Sequence, residues 1–82
     1  MTKKRTAVAK ITNIDDVRIG RIIALARDHK RLSQEDLASY IGCDRTTLAG
    51  YERGGRPLPA NRIPRLVDAL GLEPRILDPN AA

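Results

Sequence analysis

Apolar residues recur along this chain every three or four positions, which is the spacing of one face of an α-helix. The pattern predicts five helices, preceded by a short leading segment from Ile11 to Asp16. The first helix is expected from about Val17 to Lys30, and the others at about 33–41, 44–53, 61–70 and 75–78. Their apolar positions are Ile19, Ile22, Ile23, Ala26, Leu37, Ala38, Ile41, Leu48, Tyr51, Ile63, Leu66, Val67, Leu70, Ile76 and Leu77. Since strand alternation and internal repeats are absent from the sequence, an all-α fold is predicted.

Polar residues and glycines mark the ends of these helices. Ser33 followed by Asp36 is the S-x-x-D signature of a helix N-terminus, and Asp44 is suited to cap the next helix. Gly42 can adopt the positive φ that ends a helix and turns the chain sharply. Pro64 is compatible with the fourth helix only if that helix begins near Asn61, because proline is tolerated in a first turn. The segment 54–57, Gly-Gly-Arg-Pro, interrupts the pattern between the third and fourth helices.

Composition limits the size and class of the domain. The 82 residues include no Phe or Trp and only two Tyr, so the core has to be built from Leu, Ile, Val and Ala, which suits a small helical bundle. No apolar run approaches the roughly 20 residues that span a bilayer. The N-terminus lacks the apolar region of a signal peptide, and a cytoplasmic location without membrane contact is expected. Cys43 is the only cysteine, which suits a reducing compartment.

Positive charge is concentrated at the N-terminus. The chain carries a net charge of +5, and its first ten residues include four basic residues and no acidic one. We expect residues 1–12 to form a flexible basic arm and residues 13–79 to form the folded domain. Such an arm can follow phosphates or lie in a minor groove, which makes Lys3, Lys4 and Arg5 candidate phosphate contacts. The alternative is a solvated tail that aids solubility.

The segment from Gln34 to Arg53 carries the most specific pattern of the chain. A small residue, Ala38, is followed four positions later by Gly42, and the bulky Leu48 and Tyr51 lie on one face of the next helix. Together with Leu32-Ser33-Gln34, Tyr51-Glu52-x-Gly54 and Ala69-Leu70-Gly71, these landmarks resemble the phage-repressor and Cro-type helix-turn-helix family, also called the XRE family, over residues 17–77. The resemblance implies a five-helix bundle of the lambda-repressor-like type, which binds DNA through its third helix and usually forms a homodimer.

Base contacts are expected from the outward face of the third helix. Its outward positions are Arg45, Thr46, Ala49 and Gly50. Arg45 is the first candidate, because a guanidinium can bond O6 and N7 of guanine together; the alternatives are a phosphate contact or a solvated side chain. Thr46 can donate to a base or pack against thymine, whereas Ala49 offers only apolar contact. Gly50 costs about 1 kcal/mol relative to alanine in mid-helix, which indicates either a close approach by helix or DNA backbone or a tolerated weakness.

Other residues are expected to anchor phosphates or brace the helices. The resemblance implies that Gln34, at the start of the second helix, bonds a phosphate, and that Arg27 on the first helix pairs with Glu52. Further phosphate candidates lie beside the third helix and the loop after it, namely Thr47, Arg53, Arg56, Asn61 and Arg62. The alternative for each of them is a solvent-exposed side chain that is not essential for DNA binding. Contacts of this kind give affinity and register without sequence information.

Catalytic and cofactor-dependent functions find no support in the sequence. His29 is the single histidine and has no partner at metal-ligand spacing, and Cys43 falls in a turn where small apolar residues usually pack. We therefore expect no enzyme activity, no cofactor, no metal site and no small-molecule ligand. The sequence favours a transcriptional regulator, most simply a repressor, that binds duplex DNA as a homodimer on an inverted repeat. The alternatives are a protein-interaction module, such as an antitoxin subunit or adaptor, and a non-specific nucleoid binder.

Candidate dimer contacts lie near the end of the chain. Leu72, Ile76, Leu77 and the C-terminal tail are expected either to meet a second copy or to close the core of the monomer.

Overall fold

Four α-helices and two short 3₁₀ turns make up the part of the chain that the computed structural model describes, residues 14–77. The helices are α1 (Ile14–His29), α2 (Gln34–Ile41), α3 (Arg45–Arg53) and α4 (Ile63–Leu70). The 3₁₀ turns are Ala60–Arg62, which leads directly into α4, and Pro74–Leu77. No strand occurs between Ile14 and Leu77, so the all-α prediction is confirmed. The basic arm with Lys3, Lys4 and Arg5, and the tail from Asp78, lie outside the described residues.

Two of the predicted helices differ in detail from the structure. The described part of the leading segment, residues 14–16, is continuous with the first helix in α1, and Asp15 and Asp16 lie in its first turn near the positive end of the helix dipole. The expected fifth helix is the single 3₁₀ turn Pro74–Leu77, since its segment is too short to sustain α-helical hydrogen bonding. Between Ile14 and Leu77 the bundle therefore has four α-helices closed by a 3₁₀ turn. Pro64 lies in the first turn of α4, where it is tolerated as predicted.

The helices enclose one apolar core. Its fully or nearly fully buried members are Ile19, Ile23, Leu37, Ala38, Ile41, Leu48, Tyr51, Leu66, Leu70 and Leu77. All of these positions belong to the apolar pattern read from the sequence. Leu77 is fully buried in the core of its own chain, which removes it from the candidate dimer surface. Ile76, its neighbour in the same turn, stays partly exposed.

The tightest helix contact lies between α1 and α3. A Cβ added at Gly20 would lie 2.2 Å from the carbonyl oxygen of Tyr51 and 2.6 Å from that of Glu52. The two helix backbones therefore meet at Gly20, and no larger residue fits there. Because α3 is the helix that carries the candidate base contacts, Gly20 fixes the distance of that helix from the rest of the bundle.

Candidate nucleic-acid interface

The turn between α2 and α3 is shaped by one glycine and one aspartate. Gly42 adopts a left-handed conformation with φ of 87°, and its N–H donates to the carbonyl oxygens of Ala38 at 2.9 Å and Ser39 at 3.3 Å. This closes α2, and the chain turns at once into α3. Asp44 then caps α3 by accepting a hydrogen bond from the N–H of Thr47 at 2.8 Å. At the start of α2, Ser33 accepts from the N–H of Asp36 at 2.9 Å, so both predicted N-caps are confirmed.

Arg62 locks this turn to the rest of the bundle. Its guanidinium donates to the carbonyl oxygen of Ile41 at 2.8 Å and to the hydroxyl of Tyr51 at 3.1 Å. Ile41 is the last residue of α2, so Arg62 supplies a positive charge and a donor where helix carbonyls lack partners. The sequence places Arg62 among the phosphate candidates but carries no signal for this role, because the two partners lie 21 and 11 residues away along the chain.

A chain of hydrogen bonds runs from α1 to the first residue of α3. Arg27 donates through Nε to Glu52 Oε2 at 2.7 Å and through Nη2 to Glu52 Oε1 at 3.2 Å, which is the pair that the resemblance implied. Gln34 Nε2 donates to Glu52 Oε1 at 2.9 Å. Arg45 Nη1 in turn donates to Gln34 Oε1 at 3.3 Å. The carboxylate of Glu52 can only accept, so it fixes the orientation of the Gln34 amide, and the amide oxygen is left facing Arg45.

The Arg27–Glu52 pair is largely shielded from water. The side chains of Arg27 and Glu52 are 18% and 7% exposed. The hydrogen bond to Glu52 is the main reason that the pKa of Arg27 is raised above its ordinary value. Arg27 also donates through Nη1 to the carbonyl oxygen of Leu32 at 2.8 Å. One guanidinium thus connects three parts of the fold, namely α1, α3 and the loop that precedes α2.

The outward face of α3 presents the residues expected to contact bases. Arg45 and Thr46 are exposed in its first turn, and Ala49 is half-buried. Thr47 is half-buried, and its hydrogen bonding to Asp44, where the Thr47 N–H donates at 2.8 Å, is the main cause of the lowered pKa of the Asp44 carboxyl. Gly50 is buried although it faces outward, because the side chain of Arg56 lies over it.

The remaining phosphate candidates differ in exposure. Arg53, Arg56 and Asn61 are exposed, and Gln34 is half-buried at the N-terminal end of α2. Among these candidates, a hydrogen bond brings Gln34 to Arg45, and the side chain of Arg56 lies over Gly50. Their contacts with DNA stay predictions.

Cys43 packs in the turn rather than presenting a reactive thiol. It is partly buried against the core, and burial raises the pKa of the thiol above its ordinary value, while the charge of Arg62 acts in the opposite direction. Among residues 14–77, no group of three or more His, Cys, Asp or Glu side chains is placed to hold a metal ion. Within the same range, no helix is both long and apolar enough to cross a membrane.

Two capped helices joined by a tight glycine turn, with hydrogen-bond donors exposed on the second, define a helix-turn-helix DNA-binding protein. Residues 23–77 match the helix-turn-helix family, and the chain belongs to that family, in its phage-repressor and Cro (XRE) branch. The chain is also similar to the crystal structure of the restriction-modification controller protein C.AhdI from Aeromonas hydrophila. The two share 42% sequence identity and a TM-score of 0.72, and the match covers 79% of this chain and 98% of that chain. A comparison with curated proteins found no match. The protein is a DNA-binding transcriptional regulator.

Proposed function

We propose that this regulator binds a specific sequence in double-stranded DNA as a homodimer on an inverted repeat, with α3 of each copy in the major groove. The observation that carries the proposal is the first turn of α3, where Arg45 and Thr46 are exposed and Arg45 is oriented by Gln34. The residues at the N-terminal end of a recognition helix are those that meet base edges in this class of protein. A guanidinium held at that point can bond bidentately to guanine.

The surrounding side chains supply contacts that carry no sequence information. Gln34 uses one N–H of its amide for Glu52, and its second N–H is left for a phosphate oxygen. Arg53 and Asn61 flank α3 and anchor the backbone on either side of the groove, and Thr47 adds a contact from the first turns of the helix. We further propose that Lys3, Lys4 and Arg5 lie along the phosphates or in the adjoining minor groove.

Repression by promoter occlusion is the mechanism that we propose. A bound dimer covers two half-sites about one helical turn apart, which is enough to exclude another protein from the same stretch of duplex. The match to the controller protein extends over nearly the whole length of that protein. This similarity supports the further proposal that the regulated genes belong to a restriction-modification system.

Selection of binding sites from a random duplex library, at about 150 mM salt with competitor DNA, tests the proposal. Wild type should enrich an inverted repeat. Arg45→Ala should lose about tenfold of the preference at one G·C pair in each half-site, because it removes a bidentate base contact.

Two other results would contradict the proposal and point to the alternatives. Binding that depends steeply on salt but enriches no site would indicate a non-specific nucleoid binder. Absence of binding, with regulation unaffected by Arg45→Ala and abolished by polar substitutions near Ile76, would indicate a protein-interaction module.

A further inference from the structure

The loop after α3 folds back onto the outward face of that helix. The carbonyl oxygen of Gly50 accepts hydrogen bonds from the N–H groups of Gly55 at 3.0 Å and Arg56 at 3.3 Å, in addition to the capping bond from Gly54. Three successive amides thus converge on one carbonyl. This brings the backbone of Arg56 beside Gly50 and aims its side chain along the helix instead of away from it.

The side chain of Arg56 occupies the space that a side chain at position 50 would fill. A Cβ built on Gly50 would lie 2.9 Å from Arg56 Cδ, 3.1 Å from Cγ and 3.2 Å from Nε. A helical side chain covers the turn on the N-terminal side of its own Cα, which for position 50 is the turn of Thr46 and Thr47. The aliphatic stem of Arg56 therefore lies on the groove-facing surface of α3, close to the expected base contacts.

The charge of Arg56 acts on the residue that caps α3. The pKa of the Asp44 carboxyl is lowered first by its hydrogen bonds with Thr47, and the positive charge of Arg56 contributes to the same effect. Asp44 caps the end of α3 from which Arg45 and Thr46 project. Arg56 is exposed, and among residues 14–77 its guanidinium donates no hydrogen bond, in contrast to Arg62, which is bonded inside the fold.

We propose that Arg56 is a specificity-determining residue that contacts a base edge in the major groove, and that Gly50 is needed to seat its side chain on the recognition helix. A phosphate contact reaches outward from the edge of the interface, whereas this stem lies flat on the helix surface that faces the floor of the groove. The ligand chemistry is that of guanine, whose O6 and N7 accept both N–H groups of a guanidinium. The inference rests on the proposed binding of a specific duplex sequence.

Gly50 is then required for DNA recognition and is not simply a residue that weakens the helix. An added Cβ would displace only the side chain of Arg56 from Cγ outward, since the close atoms belong to that side chain and not to backbone. Gly50→Ala should therefore fold normally, with a melting temperature equal to or above that of wild type, because alanine favours the helix. It should nevertheless disturb DNA recognition.

The same site-selection experiment tests the inference, with wild type, Arg56→Ala, Gly50→Ala and the double variant. Arg56→Ala should lose about tenfold of the preference at one base pair of each half-site, distinct from the pair affected by Arg45→Ala. Gly50→Ala should relax the same base pair. The double variant should show no further relaxation than Arg56→Ala alone, because both substitutions remove one contact.

Arg53→Ala is the matched control, since it removes an exposed arginine from the same helix end. It should lower affinity for all sequences alike and leave the selected motif unchanged. The inference is overturned if Arg56→Ala behaves like this control, or if Gly50→Ala is folded by circular dichroism and selects the wild-type motif. Should Gly50→Ala not fold, the inference stands or falls on Arg56→Ala alone. If wild type selects no motif, the proposed function fails and this inference fails with it.

Discussion

At the scale of single residues, Glu52 connects the stability of the fold to the position of a base-reading side chain. Its two carboxylate oxygens accept hydrogen bonds from Arg27 and Gln34, and Gln34 in turn accepts from Arg45. The group is 7% exposed, so its partners are held in a largely dry environment. A charged hydrogen bond in such a setting is worth more than an exposed ion pair.

We expect Glu52→Gln to lower the free energy of unfolding by about 2 kcal/mol, because it leaves Arg27 largely buried without its counter-charge. Urea unfolding followed by circular dichroism measures this. Glu73→Gln is the matched control, since Glu73 is exposed, and its effect should stay below about 0.5 kcal/mol. Equal stability of the two variants would show that the Arg27–Glu52 pair contributes no more than a surface pair.

At the scale of helices, an added side chain is excluded at one glycine and can be accommodated at another. Gly20 lies where the backbones of α1 and α3 meet, and an added Cβ would be 2.2 Å from a carbonyl oxygen. Gly50 lies beneath a flexible side chain that can move. The cost of the same substitution therefore depends on what lies opposite each glycine and not on helix propensity.

Gly20→Ala should destabilise the protein by more than about 3 kcal/mol, because the two helices have to separate and the core beneath them loses contact. Thermal and urea unfolding give the value. Gly50→Ala provides the comparison, with a stability unchanged or raised by up to about 1 kcal/mol. If Gly20→Ala were as stable as wild type, α1 and α3 could not be in backbone contact.

Features encoded within a few residues of sequence could be predicted, and features that depend on distant partners could not. The caps at Ser33 and Asp44 and the turn at Gly42 each involve neighbours three or four positions away, and all three are found as predicted. The bonds of Arg62 and the position of Arg56 over Gly50 depend on how the loop before α4 folds back. Gly20 offered a signal, since a glycine within an apolar helical stripe is costly unless a close contact requires it.

At the scale of the whole molecule, the end of the chain divides between core and surface. Leu77 is 0% exposed and closes the core, whereas Ile76, in the same 3₁₀ turn, is 38% exposed. The sequence could not separate the two roles, because both residues are large, aliphatic and adjacent. Ile76 is thus the apolar side chain of this turn that is available to a second copy of the chain.

If Ile76 lies in the interface of the proposed homodimer, a charged residue at that position should weaken both dimerisation and DNA binding. A glutamate there is solvated in a monomer but becomes an unpaired, desolvated charge in a dimer interface, so Ile76→Glu should dissociate the dimer without unfolding the chain. Sedimentation should then give a monomer, and affinity for a two-half-site duplex should fall at least about tenfold, toward that for a single half-site.

Ile14→Glu is the matched control for Ile76→Glu, because Ile14 is an apolar residue on α1 that is 75% exposed. It should leave the dimer and its affinity unchanged. A dimer that survives Ile76→Glu but is lost in Ile14→Glu would move the interface to the start of α1.

The spacing of the half-sites selected by wild type is an independent test of the homodimer, because the interface sets the distance between the two α3 helices. Paired copies with both helices in the groove require half-sites about one helical turn apart, roughly 10 base pairs.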